Sequence, residues 1–178
     1  MATEDIPEAH TYVFALYAYD GDQPGDLSFK SGDLLEVDEL PTASESWFQA
    51  TNPRTGCTGM IPANYVTAER GYSAALDAFN RVSRKSAEAL LESSSYKESF
   101  NYMIRPSTDN RALALSVRTP SEKVVHLKIF FNPRQHNCFI YREKPFDTIE
   151  DLLIYYMENA IPEVCTLQAY KPFRKFPN

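Results

Sequence analysis

Arg105 is the residue in this sequence best placed to do chemistry. It follows Tyr102-Met103-Ile104, residue types suited to a buried strand, so the pattern sets a guanidinium beside a core. A guanidinium held away from water must meet an anion, because leaving it unpartnered is costly. The run Pro106-Ser107-Thr108-Asp109-Asn110 then makes a turn rich in hydroxyl and amide groups. A strand that ends in a fixed Arg and opens into hydroxyls and backbone N–H groups forms a cup for phosphate. The same pattern suits a core-edge Arg paired with an internal carboxylate. Taken by itself, the stretch favours this second reading.

Other reactive groups are scattered. Cys57, Cys138 and Cys165 stand far apart, and His10, His126 and His136 do not cluster with them. That usage predicts a reducing compartment, with no disulfide framework and no metal site. There is no Gly-rich loop followed by a suitable Lys, no His-Arg-Asp, no Asp-Phe-Gly and no nucleophile–base pair. No catalytic residue and no cofactor are expected. Tyr17, Tyr19 and Tyr65 carry an apolar ring with a polar tip, which favours a surface role. Phe14, Leu16, Phe29, Leu35 and Ile61 read as core.

The elements that must position these residues fall into two groups. With 178 residues, 43% of them apolar and 24% charged, the chain suits one ordinary domain or two small ones of globular type. No apolar run reaches the ~18 residues of a membrane span, so no membrane insertion is expected. The start, Met1-Ala2-Thr3-Glu4-Asp5, lacks the basic and apolar regions of a signal peptide, and Ala2 rules out myristoylation. Residues 1–70 hold 3 basic and 12 acidic residues, and residues 71–178 hold 15 and 12. This asymmetry predicts two domains with partners of different charge. The mild excess in the second half is weak for nucleic acid, which is not expected as a partner.

Residues 1–10 are polar and acidic and read as disordered. From Thr11 to Glu69, short strand-like runs alternate with turn signals and no helical stretch intervenes, which predicts a small β-barrel. Ala15-Leu16-Tyr17-Ala18-Tyr19, Asp26-Leu27-Ser28-Phe29 with Gly32-Asp33, Trp47-Phe48 and Ile61-Pro62-Ala63-Asn64-Tyr65-Val66 resemble an SH3 domain over residues 11–69. The resemblance implies a groove for proline-rich peptides built from Tyr17, Tyr19, Trp47, Pro62 and Tyr65. Asn64 would donate a hydrogen bond, and Asp26 would pair with a ligand Arg. A polyproline II ligand is already extended, so aromatic ridges grip it at low entropic cost.

The connection, residues 70–78, spans at most ~32 Å when extended, and Ala74 to Ala78 suits a short helix that shortens this reach. The two domains therefore lie close, and two-site binding to one partner is geometrically possible. Beyond it, Ser83 suits the N-cap of a helix from Arg84 to Glu92 with Ala87, Leu90 and Leu91 on its apolar face. Strands are expected near Met103, Leu115 and Lys128, and Phe139-Ile140-Tyr141 is expected to begin a smaller second sheet. Thr148 with Asp151 resembles a capping box, opening a helix to about Asn159 with Ile149, Leu152, Leu153 and Tyr156 as its core stripe.

In this order, Val82-Ser83-Arg84-Lys85-Ser86-Ala87-Glu88-Ala89-Leu90-Leu91, Phe100 to Ser107, Ala114-Leu115-Ser116-Val117, Val125-His126-Leu127-Lys128-Ile129 and Phe146 to Tyr156 resemble an SH2 domain, the phosphotyrosine-reading module. The likeness spans residues 79–174. It implies that Arg105 forks onto the phosphate, with Arg84, Ser107, Thr108, His126 and Lys128 around it and Leu127 bordering the groove for residues after phosphotyrosine. Two positions depart from the pattern. Leu76-Asp77-Ala78-Phe79 stands where many SH2 domains open on a Trp, and Pro106 follows Arg105 where a Glu is common.

The expected fold is thus an all-β SH3 barrel followed by an α+β SH2 domain whose central antiparallel sheet is flanked by two helices. The expected function is a non-catalytic cytoplasmic adaptor joining proline-rich proteins to tyrosine-phosphorylated ones. The alternative is the regulatory front of a cytoplasmic tyrosine kinase.

Overall fold

The computed structural model describes residues 11–107 and 112–170. The expected disorder of residues 1–10, and Thr108, lie outside the described residues. Strands β1 (Thr11–Ala15), β2 (Leu34–Val37), β3 (Trp47–Asn52), β4 (Cys57–Pro62) and β5 (Val66–Thr67) form one sheet in the order β4-β3-β2-β1-β5. All its pairings are antiparallel. The chain between β1 and β2 is tied back by bridges between Tyr19 and Phe29 and between Asp26 and Met60, which curls the sheet toward a barrel. Alternation does the sorting on β3: Phe48 and Ala50 point in, while Trp47 and Gln49 point out. Val13, Leu27, Phe29, Leu35 and Ile61 fill the interior.

The second unit opens with α1 (Ala74–Asp77), α2 (Arg84–Glu92) and α3 (Ser94–Lys97). Strands β6 (Tyr102–Pro106), β7 (Ala112–Arg118), β8 (Val124–Asn132) and β9 (Asn137–Phe139) follow, then α4 (Ile149–Glu158). The four strands make an antiparallel sheet in sequence order. Helix α2 starts where the Ser83 hydroxyl accepts from Ser86 N, and it buries Ala87 and Leu91 against Met103 on one face of the sheet. Helix α4 starts where Thr148 Oγ1 accepts from Asp151 N at 3.2 Å. It buries Ile149, Leu152, Leu153 and Tyr156 on the other face, in one cluster with Tyr102, Ile104 and Leu115. Each such side chain contributes about 1.5–3 kcal/mol before ordering costs.

One expectation is overturned. Phe139-Ile140-Tyr141 does not begin a second sheet; β9 ends at Phe139 and extends the central sheet, pairing Phe130 with Phe139 and Asn132 with Asn137. The cause is a tight reversal through residues 133–136, closed by His136 at φ +53°, which returns the chain directly onto β8.

The connection between the units is built into the structure. Phe14 and Leu34 of the first unit are buried in one continuous cluster with Ala74, Ala75 and Leu76 of the connection and Ile149 and Leu152 of the second unit. Ser73 caps α1 by accepting from Ala75 N and Leu76 N. The Glu150 carboxylate, 1% exposed, accepts from Ser73 Oγ at 2.9 Å, Ala74 N at 2.7 Å and Ala75 N at 3.2 Å. Asp33 is buried and takes the Arg54 guanidinium in a fork, both bonds 2.8 Å, while Arg54 Nη1 donates to the His136 carbonyl at 3.1 Å. At Gly32, φ is +97° and a Cβ would stand 3.0 Å from Thr148 Oγ1, so backbone conformation and close approach both require glycine.

Candidate functional site

Two sites emerge, one in each unit. In the first, the segment after β1 supplies Tyr17 and Tyr19, β3 begins with Trp47, β4 ends at Pro62, and a 3-10 turn (Ala63–Tyr65) presents Asn64 and Tyr65. Tyr19 is the hub. Its ring centroid lies 5.6 Å from Tyr65 and 5.8 Å from Trp47, edge-on to both, and Tyr17 stands 5.7 Å from Tyr65 at the rim. Edge-to-face rings hold one another upright and leave slots between them. One cleft of about 530 Å³ is walled by Tyr19, Trp47, Pro62, Asn64 and Tyr65, with Glu45 and Ser46 at its side. An adjoining cleft of about 370 Å³ lies between Tyr19, Trp47 and Met60 and carries Asp22 and Asp26. The Tyr19 hydroxyl donates to Asp26 Oδ2 at 2.8 Å, and this bond pushes the phenol up to about 12. The chemistry offered is an apolar, ridged surface ending in carboxylates, suited to an extended apolar chain flanked by a cation.

The second site follows from strand alternation. On β6, Tyr102 and Ile104 face α4, so Met103 and Arg105 face α2. Cross-strand register carries that face outward: Met103 pairs with Ser116 and Ser116 with His126, while Arg105 pairs with Ala114 and Ala114 with Lys128. Arg105 is 6% exposed. Its Nε donates to Ser116 Oγ at 3.1 Å, and one terminal nitrogen lies 3.4 Å from His126 Nδ1. Ser116 Oγ lies 2.7 Å from His126 Nδ1, and His126 Nε2 lies 2.7 Å from Glu88 Oε1 on α2. A neutral ring with its proton on Nε2 satisfies all four groups in sequence, Arg105 to Ser116 to His126 to Glu88.

Electrostatics fit that order. Burial, with the nearby Arg84 charge, pulls Arg105 below the usual guanidinium range. Burial also lowers His126, against the bond from Glu88 that raises it. The His126 bond, more than the Arg84 and Arg105 charges, holds Glu88 below the usual carboxylate range. Arg84 is exposed in the first turn of α2, Lys128 is exposed two residues beyond His126, and Ser107 is buried just past β6. The arrangement is a floor of Arg105 and Ser116 with Arg84, His126 and Lys128 around it, which suits a tetrahedral dianion.

Leu127 points to the opposite face and packs, half-buried, against the α4 core. On that side lies a cleft of about 360 Å³ lined by Tyr141, Glu143, Lys144, Tyr155, Tyr156, Ala160 and Pro162. Lys144 Nζ sits 4.6 Å over the Tyr155 ring, a cation–π contact that steadies one wall. Leu127 is not among the walls of this cleft. At the opening of the second unit, where sequence shows no Trp, Phe79 bridges to Ile104, and its ring lies tilted 5.1 Å from the Tyr12 ring of β1. The first unit thus covers the opening of the second.

Several contributors were not singled out in the sequence. Asp22, Glu45 and Met60 sit in loops or on outward strand positions where composition alone carries no assignment. Ser116 had a usable signal, a single hydroxyl within the apolar run Ala114-Leu115-Ser116-Val117. Glu88 had one too, four residues after Arg84 and so on the same helix face.

Comparison with known proteins identifies the two units. A family model for a variant SH3 domain matches residues 15–67, and one for the SH2 domain matches residues 79–156. A tyrosine protein kinase, src-1 of Caenorhabditis elegans, is 30% identical over 156 residues, covering 85% of this chain and 29% of the kinase. The chain therefore spans less than a third of that relative's length. The solved SH3 domain of yeast YHH6 is 37% identical over 33% of this chain and 97% of its own, with a TM-score of 0.30. The chain is an SH3 domain followed by an SH2 domain.

Proposed function

We propose that this chain is a non-catalytic adaptor that brings proline-rich proteins to tyrosine-phosphorylated ones. SH3 and SH2 modules point to a signalling adaptor or a regulatory region. The observation that supports the adaptor reading is the coexistence of two separate candidate ligand surfaces: the Tyr19–Trp47–Tyr65 clefts and the Arg105–Ser116–His126 floor. Tyr17, Tyr19, Trp47, Pro62, Asn64 and Tyr65 receive the proline-rich segment, and Asp26 receives its flanking cation. Arg105, Arg84, Ser107, Thr108, His126 and Lys128 receive the phosphotyrosine. The proposed place of action is the cytoplasm, where such modules typically work; no helix among the described residues is long and apolar enough to cross a membrane.

Trp47, the single Trp of the chain, tests the assignment. It is 43% exposed at the cleft, so its emission shifts when a proline-rich peptide binds and stays nearly still when a phosphopeptide binds. Trp47→Lys abolishes only the first interaction. Equal responses to both peptides would contradict the division of labour.

A second reading is favoured by the likeness to the nematode kinase: the two modules regulate a tyrosine kinase domain on the same polypeptide. The size of the endogenous protein, detected with an antibody to this region, separates the two. A kinase adds on the order of 250 residues.

A further inference from the structure

We propose that Glu88 is a resident carboxylate of the phosphotyrosine site, a stand-in anion that lowers affinity for phosphopeptides. This deepens the assignment of Arg105 as the phosphate anchor and rests on it. Glu88 is one turn beyond Arg84 on α2, so both side chains lie over the same face of the sheet. Its Oε1 meets His126 Nε2 at 2.7 Å, and His126 in turn touches Ser116 and Arg105. The charges of Arg84 and Arg105 both act on this carboxylate, so it stands within the positive field that a phosphate would enter. The side chain is 48% exposed on the open side of the site and can swing toward water.

A phosphotyrosine dianion therefore meets a site already partly neutralised. It must either displace Glu88 from His126 or tolerate a like charge next to it, and both outcomes weaken binding. When Glu88 turns away, the His126 N–H it occupied becomes a donor for the ligand. The residue thus sets affinity in two ways, by repulsion and by holding a donor in reserve.

The test is calorimetry of one phosphopeptide with wild type, Glu88→Gln, Glu88→Ala and Arg105→Lys, with thermal melts as the check on folding. Removing one exposed like charge should tighten binding about 1.5- to 5-fold in both Glu88 variants. The gap to wild type should narrow as ionic strength rises, which a purely structural role would not produce. His126, followed by NMR titration, should move down in pKa in Glu88→Gln, because the carboxylate charge that raises it is lost, and in Glu88→Ala, where the bond is lost as well. If Arg105→Lys binds as wild type does, the site assignment itself is wrong and this proposal falls with it. If Arg105→Lys loses binding while the Glu88 variants bind equally or more weakly, Glu88 positions His126 and does not compete with phosphate, and the proposal alone is overturned.

Discussion

Arg105 shows what a single buried guanidinium requires. Only its fork geometry lets it bond Ser116 and still aim nitrogens past His126. Arg105→Lys keeps the charge and loses the fork, so phosphopeptide affinity should fall at least ~30-fold with the melting temperature nearly unchanged. Calorimetry at matched salt measures this, and an unchanged dissociation constant would contradict the site. The position of Arg105 was legible from local alternation, since Tyr102-Met103-Ile104 fixes which face it takes. Its surroundings were not. The sequence pointed to an anion beside it; the structure supplies a relay of neutral groups that ends on the Glu88 carboxylate. Ser116 and Glu88 lie 11 and 17 residues from Arg105 in sequence, and only strand register and the seating of α2 bring them together.

Strand β8 presents two faces by its pleat: His126 and Lys128 lie on the Arg105 side, and Leu127 faces the α4 side. The cleft on the α4 side is walled by Tyr141, Tyr155, Tyr156 and Pro162; Leu127 is not one of its walls and acts on it only through the core in which they pack together. Given those apolar walls, phosphopeptides with apolar residues at the first and third positions after phosphotyrosine are expected to be selected. Each buried apolar side chain there is worth about 1.5–3 kcal/mol before ordering costs. A peptide array on wild type and on Leu127→Tyr checks this; a preference for acidic or amide residues at the first position, or an array that ignores the substitution, contradicts it. Helices were the most legible elements, because Ser83 and Thr148 announce their starts and the apolar stripes of α2 and α4 have the helical period. The run after Cys138 misled, since Phe139-Ile140-Tyr141 has strand composition whichever sheet it joins. The hairpin turn decided the matter, and nothing in that run encodes the turn.

At the scale of the molecule, the connection is a structural wedge. Nine residues between two domains suggest a tether, and sequence offered their reach, a short helix at Ala74 to Ala78 and the closeness of the domains. It did not show that Glu150, from the far helix, would cap Ser73, Ala74 and Ala75. Burial pushes the Glu150 carboxyl up to about 7, against the three donors that pull it down. The folded state therefore holds this proton more tightly than the unfolded chain, whose ordinary value is 4.5. Stability from this group is fully present below that value and is lost as pH rises through about 7, a change of order 3 kcal/mol. Glu150→Gln, which sets an NH2 group against backbone donors, should cost about 1–3 kcal/mol near pH 5. The difference from wild type should shrink by pH 8. Trp47 emission and far-UV circular dichroism should report the same midpoint, since Phe14, Leu34 and α4 share one core. Two separated transitions, or a gap that widens with pH, would contradict this account. That shared core has a consequence for descent. Modules joined by a loose linker can be shuffled singly between genes, but cutting this pair would strip Phe14 and Leu34 on one side and Ala74 to Leu76 on the other. What recombination can move without opening that core is the pair, so the two candidate sites travel together.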